Sequence, residues 1–187
     1  MDSLKNQFLI AMPNLDDPYF KRSVIYLVKH DDEGAMGFII NQPISQLNVQ
    51  QLLEKMECPC EKSASHGLNQ QVFNGGPVNQ ERGFVLHSPQ SMWNTSESCS
   101  DDIMLTSSKD IMSALGSSDA PQQFIIALGY ASWTPGQLEQ ELLDNSWLTS
   151  PSDPAHLFTT AIKDRWQCAT AQLGFDVWQL TSQSGHS

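Results

Sequence analysis

SVIYLVKH at residues 23–30, DDEG at 31–34 and AMGFIINQ at 35–42 follow one another without a break. The first block is dense in β-branched and aromatic side chains, which suit a pleated strand. The second is a tight turn, with Gly34 placed to take the positive φ that such a reversal demands. The third is an apolar return strand stopped by Pro43. Two strands joined by so short a turn lie antiparallel. A hairpin this early, with helices entering between strands only later, predicts an α+β fold on a largely antiparallel, curved sheet.

Working outward, FLIAM at 8–12 reads as a strand closed by Pro13. Asn48 caps a helix from Val49 to about residue 57, with Val49, Leu52, Leu53 and Met56 on one face. Residues 72–74, 83–88, 103–105 and 123–128 read as strands, the last a buried central one. Residues 89–101 form a Ser-rich loop, and Thr106 or Ser107 caps a helix that runs through Leu115 to Gly116. In Thr134-Pro135-Gly136-Gln137, Thr134 is the expected N-cap, with Leu138, Leu142 and Leu143 facing inward. A short helical stretch from Asp153-Pro154, an amphipathic helix at 161–173 and a final strand at 176–180 complete the chain. With no repeat and no linker, residues 1–187 are expected to form one domain.

The 187 residues carry a formal charge of −11, ten Lys and Arg against 21 Asp and Glu. A nucleic-acid binder needs a basic face to displace phosphate counterions, so direct binding to DNA or RNA is disfavoured, as is an anionic membrane surface. The sequence has no apolar run of the roughly 18 residues a membrane helix needs, and its N-terminus lacks the basic and apolar regions of a signal peptide. A cytoplasmic location is therefore expected, with Cys58, Cys60, Cys99 and Cys168 as reduced thiols. Cys58-Pro59-Cys60 with His66 is half of a metal site at most, and neither a metal nor a cofactor is expected.

FNGGPVNQERGFVLH at 73–87 raises the question of a phosphate loop. The lysine and the following helix that such a loop requires are missing. Gly75 and Gly76 thus read as a shaped turn, with close approach of a ligand or partner to their backbone as the remaining use. His30 and His87 each end a strand and would form a catalytic pair only if the fold joined them. Tyr130 and Trp133 could wall a pocket where a buried strand meets a helix start, while Glu139 and Glu141 already answer that helix's dipole. The Asp16-to-Ser23 segment mixes acid, aromatic and base, as either an interaction loop or a self-neutralising surface.

These blocks, together with LGYASWTPGQLEQELLDNSWL and the closing DRW…LG…GH, resemble the YqgE/AlgH family of bacterial proteins from about residue 6 onward. The resemblance implies a single α+β domain whose mostly antiparallel sheet curls into a pseudo-barrel with helices around it. It implies a fold and not a particular reaction, and the family name carries a suggestion of transcriptional regulation. The candidate binding positions are Gly75, Gly76, Arg82, His87, Tyr130, Trp133, Gln137 and Glu141. The leading expectation is a non-catalytic regulatory or binding protein acting through a protein partner or a small ligand. The alternatives are a direct DNA-binding regulator and an enzyme with a site near Arg82, His87 and residues 133–137.

Overall fold

The computed structural model describes residues 2–61, 66–91 and 93–174. In chain order its strands and helices are β1 (Gln7–Ala11), β2 (Val24–Asp31), β3 (Gly34–Ile39), β4 (Pro43–Asn48), α1 (Val49–Lys55), β5 (Gln71–Asn74) and β6 (Val78–His87). Then come β7 (Ser96–Ser98), β8 (Met104–Thr106), α2 (Lys109–Leu115), β9 (Phe124–Trp133), α3 (Gln137–Leu143), β10 (Trp147–Pro151), α4 (Pro154–Phe158) and α5 (Arg165–Gln172). The expected strand at 176–180 lies outside the described residues. The fold is α+β and mostly antiparallel, as the early hairpin predicts. Two compact units make it up: residues 1–41 with those from 131 onward, and residues 42–130.

The first unit orders its strands β10-β1-β2-β3, with the last three residues of β9 beside β3, all antiparallel. FLIA and VIYLV are buried along their whole length because helices cover both faces, so the strands read as continuous apolar runs. One face holds Leu9, Ile25, Leu27, Ile39, Trp133 and Trp147, with Leu138 of α3. The stripe read from sequence faces inward, with Ala169 buried and Ile162, Trp166 and Leu173 partly so, and Arg165 of α5 joins it at 4% exposure. Its Nε donates to the Thr160 carbonyl at 3.0 Å and its guanidinium also donates to the Ile40 carbonyl. Burial pulls Arg165 down to about 10, which leaves it protonated at neutral pH. Trp166 donates from Nε1 to the Ala11 carbonyl at 3.0 Å, and the Arg22 guanidinium sits 5.7 Å from its ring centre.

The Asp16-to-Ser23 segment is pinned to this core. Asp17 Oδ1 accepts from the Tyr19 and Phe20 amides, and Phe20 packs edge-on against Trp147 at 5.7 Å. Gly34 has φ +120°, and a Cβ there would collide with the Trp133 carbonyl.

The second unit orders its strands β4-β5-β9-β6-β8-β7. Only the β5–β9 pair is parallel among the described pairings. Its core joins Leu52 and Leu53 of α1, Ile111, Met112 and Leu115 of α2, and Val85, Phe124 and Ile126 of the sheet. Asn48 caps α1 as expected: its side chain accepts from the Gln51 amide at 2.8 Å, and the Gln51 side chain accepts from the Asn48 amide at 2.9 Å. Met56 does not join the buried face; it is 39% exposed beyond the end of α1.

Several boundaries differ from the sequence reading. Pro43 opens β4 instead of ending the chain's extended run. The Ser-rich loop contains β7, and a strand, β10, follows α3. Gly129 does not end its strand; β9 continues through it to Trp133. Ser108, not Thr106 or Ser107, occupies the N-cap position of α2. Leu143 points to solvent at 73% exposure, whereas Leu138 is buried and Leu142 partly so. Among the described residues no helix is long and apolar enough to cross a membrane.

Candidate functional site

The polar half of NGGPVNQERG is lifted off its sheet. Val78 pairs with Tyr130, and the next pair is Gly83 with Leu128, so four residues of β6 stand opposite Gly129 alone. A bulge of this size bends its strand away from the ladder, a device that recurs beside binding sites. Asn79 takes φ 48°, a left-handed conformation that asparagine tolerates. Gly129 takes φ +73°, and a Cβ on it would stand 2.5 Å from the Gly76 carbonyl oxygen and 2.9 Å from that of Val78. Gly75 donates its amide to the Leu128 carbonyl at 2.8 Å. Gly75 and Gly76 are buried in the turn that they shape.

The bulged residues 79–82 are exposed and rim a cleft of about 720 Å³. Its other walls are Pro77, Ser107, Ser108 and Lys109, with Met56 and Met112 supplying apolar surface. Gly83 lets the Met112 methyl pack onto the strand at the floor, since a Cβ there would lie 2.7 Å from it. The Arg82 guanidinium carbon lies 5.2 Å from the Phe84 ring centre, and Nη2 donates to Ser107 Oγ at 3.3 Å. Phe84 is braced edge-on by Tyr130 at 5.7 Å, and Asn79 reaches the Tyr130 hydroxyl at 3.5 Å. Among the described residues neither Arg82 nor Lys109 has a carboxylate within ion-pair distance, although Glu81 also lines the cleft.

His87, expected beside Arg82 as a binding residue, is fully buried. Its Nδ1 lies 2.8 Å from the Ser88 carbonyl, which only accepts, so Nδ1 carries the proton. Its Nε2 therefore accepts from Thr106 Oγ1 at 2.8 Å, and Thr106 accepts in turn from Ser96 at 2.7 Å. Burial holds this imidazole below its ordinary range, with the Ser88 bond opposing the shift. Trp93 closes over the ring at 5.1 Å. Both ring nitrogens of His87 are thus engaged, Nδ1 locally and Nε2 in tying β6 to β8 and, through Thr106, to β7.

In the first unit, Glu141 is the hub of the predicted Trp133-to-Glu141 motif. Its Oε2 accepts from both indoles, Trp133 Nε1 at 2.9 Å and Trp147 Nε1 at 2.8 Å. Its Oε1 accepts from Gln137 Nε2 at 3.0 Å. Gln137 Oε1 in turn accepts from the Thr134 amide at 3.1 Å and hydroxyl at 3.2 Å. The Thr134 hydroxyl therefore caps no helical amide; the N-cap is Gly136, at φ 78°. This network docks α3 onto its sheet and ties the side chains of Trp133, Gln137 and Glu141 to one another.

His30 is also occupied within the first unit. The Leu4 amide donates to its Nδ1 at 2.9 Å, so Nε2 carries the proton and faces Glu139 Oε1 at 2.9 Å. The Ser3 hydroxyl donates to the His30 carbonyl at 2.8 Å. Glu139 is lowered, first by its own backbone amide and then by His30. Ser3, Asp31, Asp32 and Gly136 complete an acidic hollow of about 390 Å³ around this pair. His30 and His87 are each committed to partners in their own unit, so neither serves the other as a base. Among the described residues no three His, Cys, Asp or Glu groups converge as metal ligands. His66 instead lies 2.6 Å from the Gln122 carbonyl, edge-on to Phe124.

Residues 8–178 match the family model DUF179, AlgH-like. The chain belongs to the AlgH-like family. UPF0301 proteins of Shewanella sp. strain ANA-3 and Idiomarina loihiensis are 55% and 56% identical to it, over 100% of both chains in each case. The solution structure of the AlgH protein from Pseudomonas aeruginosa matches with a TM-score of 0.78 at 41% identity, covering 99% of this chain and 96% of that one. A crystal structure from Corynebacterium diphtheriae, 19% identical with a TM-score of 0.69, covers 92% of this chain and 87% of that one, a likeness of fold alone.

Of the binding positions expected in this AlgH-like chain, Arg82 opens into the cleft and Tyr130 supports it through Phe84 and Asn79. Lys109, Ser107, Met56 and Met112 were missed as site residues. Ser107 and Met56 carried sequence signals only for a cap and an amphipathic face, and tertiary packing alone brings the four to one opening.

Proposed function

We propose that this AlgH-like chain is a non-catalytic, cytoplasmic regulatory protein that works by binding, and that its ligand or partner enters the cleft beside Arg82. The observation that carries this reading is a contrast in how polar groups are used. His30, His87, Gln137 and Glu141 are engaged in internal hydrogen bonds. Arg82 and Lys109 share an open cleft and pair with no described acid. A concave site of this volume, part apolar with a few converging polar groups, has the usual character of a small-ligand pocket. Any influence on transcription would pass through the bound partner, because a charge of −11 opposes contact with DNA.

The test is a metabolite library added to protein labelled at the methionine methyl carbons, read by NMR. Compounds that bind should move the Met56 and Met112 signals, assigned with Met56→Leu and Met112→Leu. A library that moves neither signal defeats the proposal.

A further inference from the structure

Resting on that binding reading, the geometry points to a ligand class for the cleft: we infer that it takes an anionic amphipath, a carboxylate or phosphate monoester joined to an aliphatic body. The anion site is the pair Arg82 and Lys109. A guanidinium has five N–H donors, and one Arg82 nitrogen is engaged with Ser107 Oγ at the long distance of 3.3 Å. Stacking on Phe84 holds the planar group in place before a ligand arrives, which reduces the ordering it must undergo to grip an anion's two oxygens. Ser107 adds a hydroxyl to the same wall. In a chain with only ten cationic residues against 21 acids, two cations that pair with no described acid and face one cleft set up a local field opposite to the net charge.

The aliphatic end is set by methionine. Met56 is one of two large hydrophobic residues exposed among the described ones, and it stands at this cleft with Met112 and Pro77. Unbranched thioether side chains adapt to a flexible hydrocarbon better than to a flat ring of fixed shape. The volume of about 720 Å³ falls within the range of small-molecule pockets. Glu81 at the rim penalises a second negative charge placed away from the cation pair, which favours a singly headed anion over an extended polyanion.

The full chain, methyl-labelled at methionine, is titrated in separate arms with octanoate, octyl phosphate, octanol and octylammonium. Both anions should move the Met56 and Met112 methyls and saturate at least about tenfold below octanol, with no saturation by octylammonium. The tighter of the two anions identifies the headgroup. Arg82→Gln and Lys109→Gln should each weaken the anions by about tenfold and leave octanol unchanged. Lys109→Gln is fully surface-borne, so it preserves the test if Arg82→Gln perturbs the bulge. Octanol binding as tightly as octanoate, or anion binding that survives both substitutions, overturns the anionic assignment while leaving the cleft a binding site. Silence of both methyls toward all four probes overturns the inference; silence toward the metabolite library as well removes the binding reading beneath it.

Discussion

Glu141→Ala removes one acceptor from three donors at once. The Gln137 amide is exposed and returns to water at little cost. The indoles of Trp133 and Trp147 are 6% and 3% exposed, and their N–H groups would face a space with no other described acceptor. A hydrogen bond to a charged acceptor is worth roughly 1.5–3 kcal/mol, and a stranded buried donor costs about 1–3 kcal/mol. Glu141 is itself half-exposed, so water reaches part of the site and the lower end applies to each indole. The expected loss is about 2–4 kcal/mol of stability. Glu141→Gln keeps an oxygen for the indoles but turns an amide N–H toward that of Gln137, and should cost about 1 kcal/mol. Urea titration followed by far-ultraviolet circular dichroism measures both variants, and hydrogen exchange should show the loss concentrated in α3 and β10. If Glu141→Ala stays within about 0.5 kcal/mol of the parent, the network is not what holds α3, and Glu141 returns as a ligand residue.

The buried imidazole of His87 makes a pH prediction. Its folded pKa lies below the ordinary 6.5, so as pH falls the unfolded chain takes up a proton before the folded one does. The stability it supplies is full above about pH 6.5 and drains as pH drops from there toward the depressed folded value. His87→Gln should therefore flatten the fall in urea midpoint between about pH 7.5 and pH 5.5, and an unchanged fall would assign that titration to other groups. Gly34→Ala, with φ +120° and the Trp133 carbonyl in the way, should lose about 3 kcal/mol or more, or fail to accumulate folded. Gly136→Ala, at φ +78° with open space around it, should lose only about 1–2 kcal/mol. Equal losses at the two positions would show that backbone conformation alone, without the carbonyl clash, sets the cost.

The β2–β3 hairpin and the Asn48 cap were legible because each is decided within a few residues: β-branched runs around a Gly turn, and an Asn-x-x-Gln box. PISQLN, SES and WLTSP were not, and the strands they form, β4, β7 and β10, all lie on sheet edges. An edge strand needs little apolar alternation, and its pairing is set by a distant partner. Gly129 was misread for a different reason. Glycine usually punctuates a strand, but here its missing Cβ admits the Gly76 and Val78 carbonyls and lets β9 continue. The candidate site divided along the same line. Arg82 stood out in its motif, whereas its neighbours in the cleft come from the ends of two helices far away in sequence. The Trp133-to-Glu141 motif was conspicuous for its chemistry, and that chemistry turned inward.

The placement of the indoles has a practical consequence for spectroscopy. Trp133, Trp147 and Trp166 belong to the first unit, and Trp93 is the described indole of the second. The Glu141 carboxylate sits at the pyrrole end of two of them, where a negative charge stabilises the excited indole and shifts emission to longer wavelength. Among the described indoles, the emission at longer wavelength therefore reports the docking of α3, while Trp93, packed against His87, is the one suited to follow the unit that carries the Arg82 cleft.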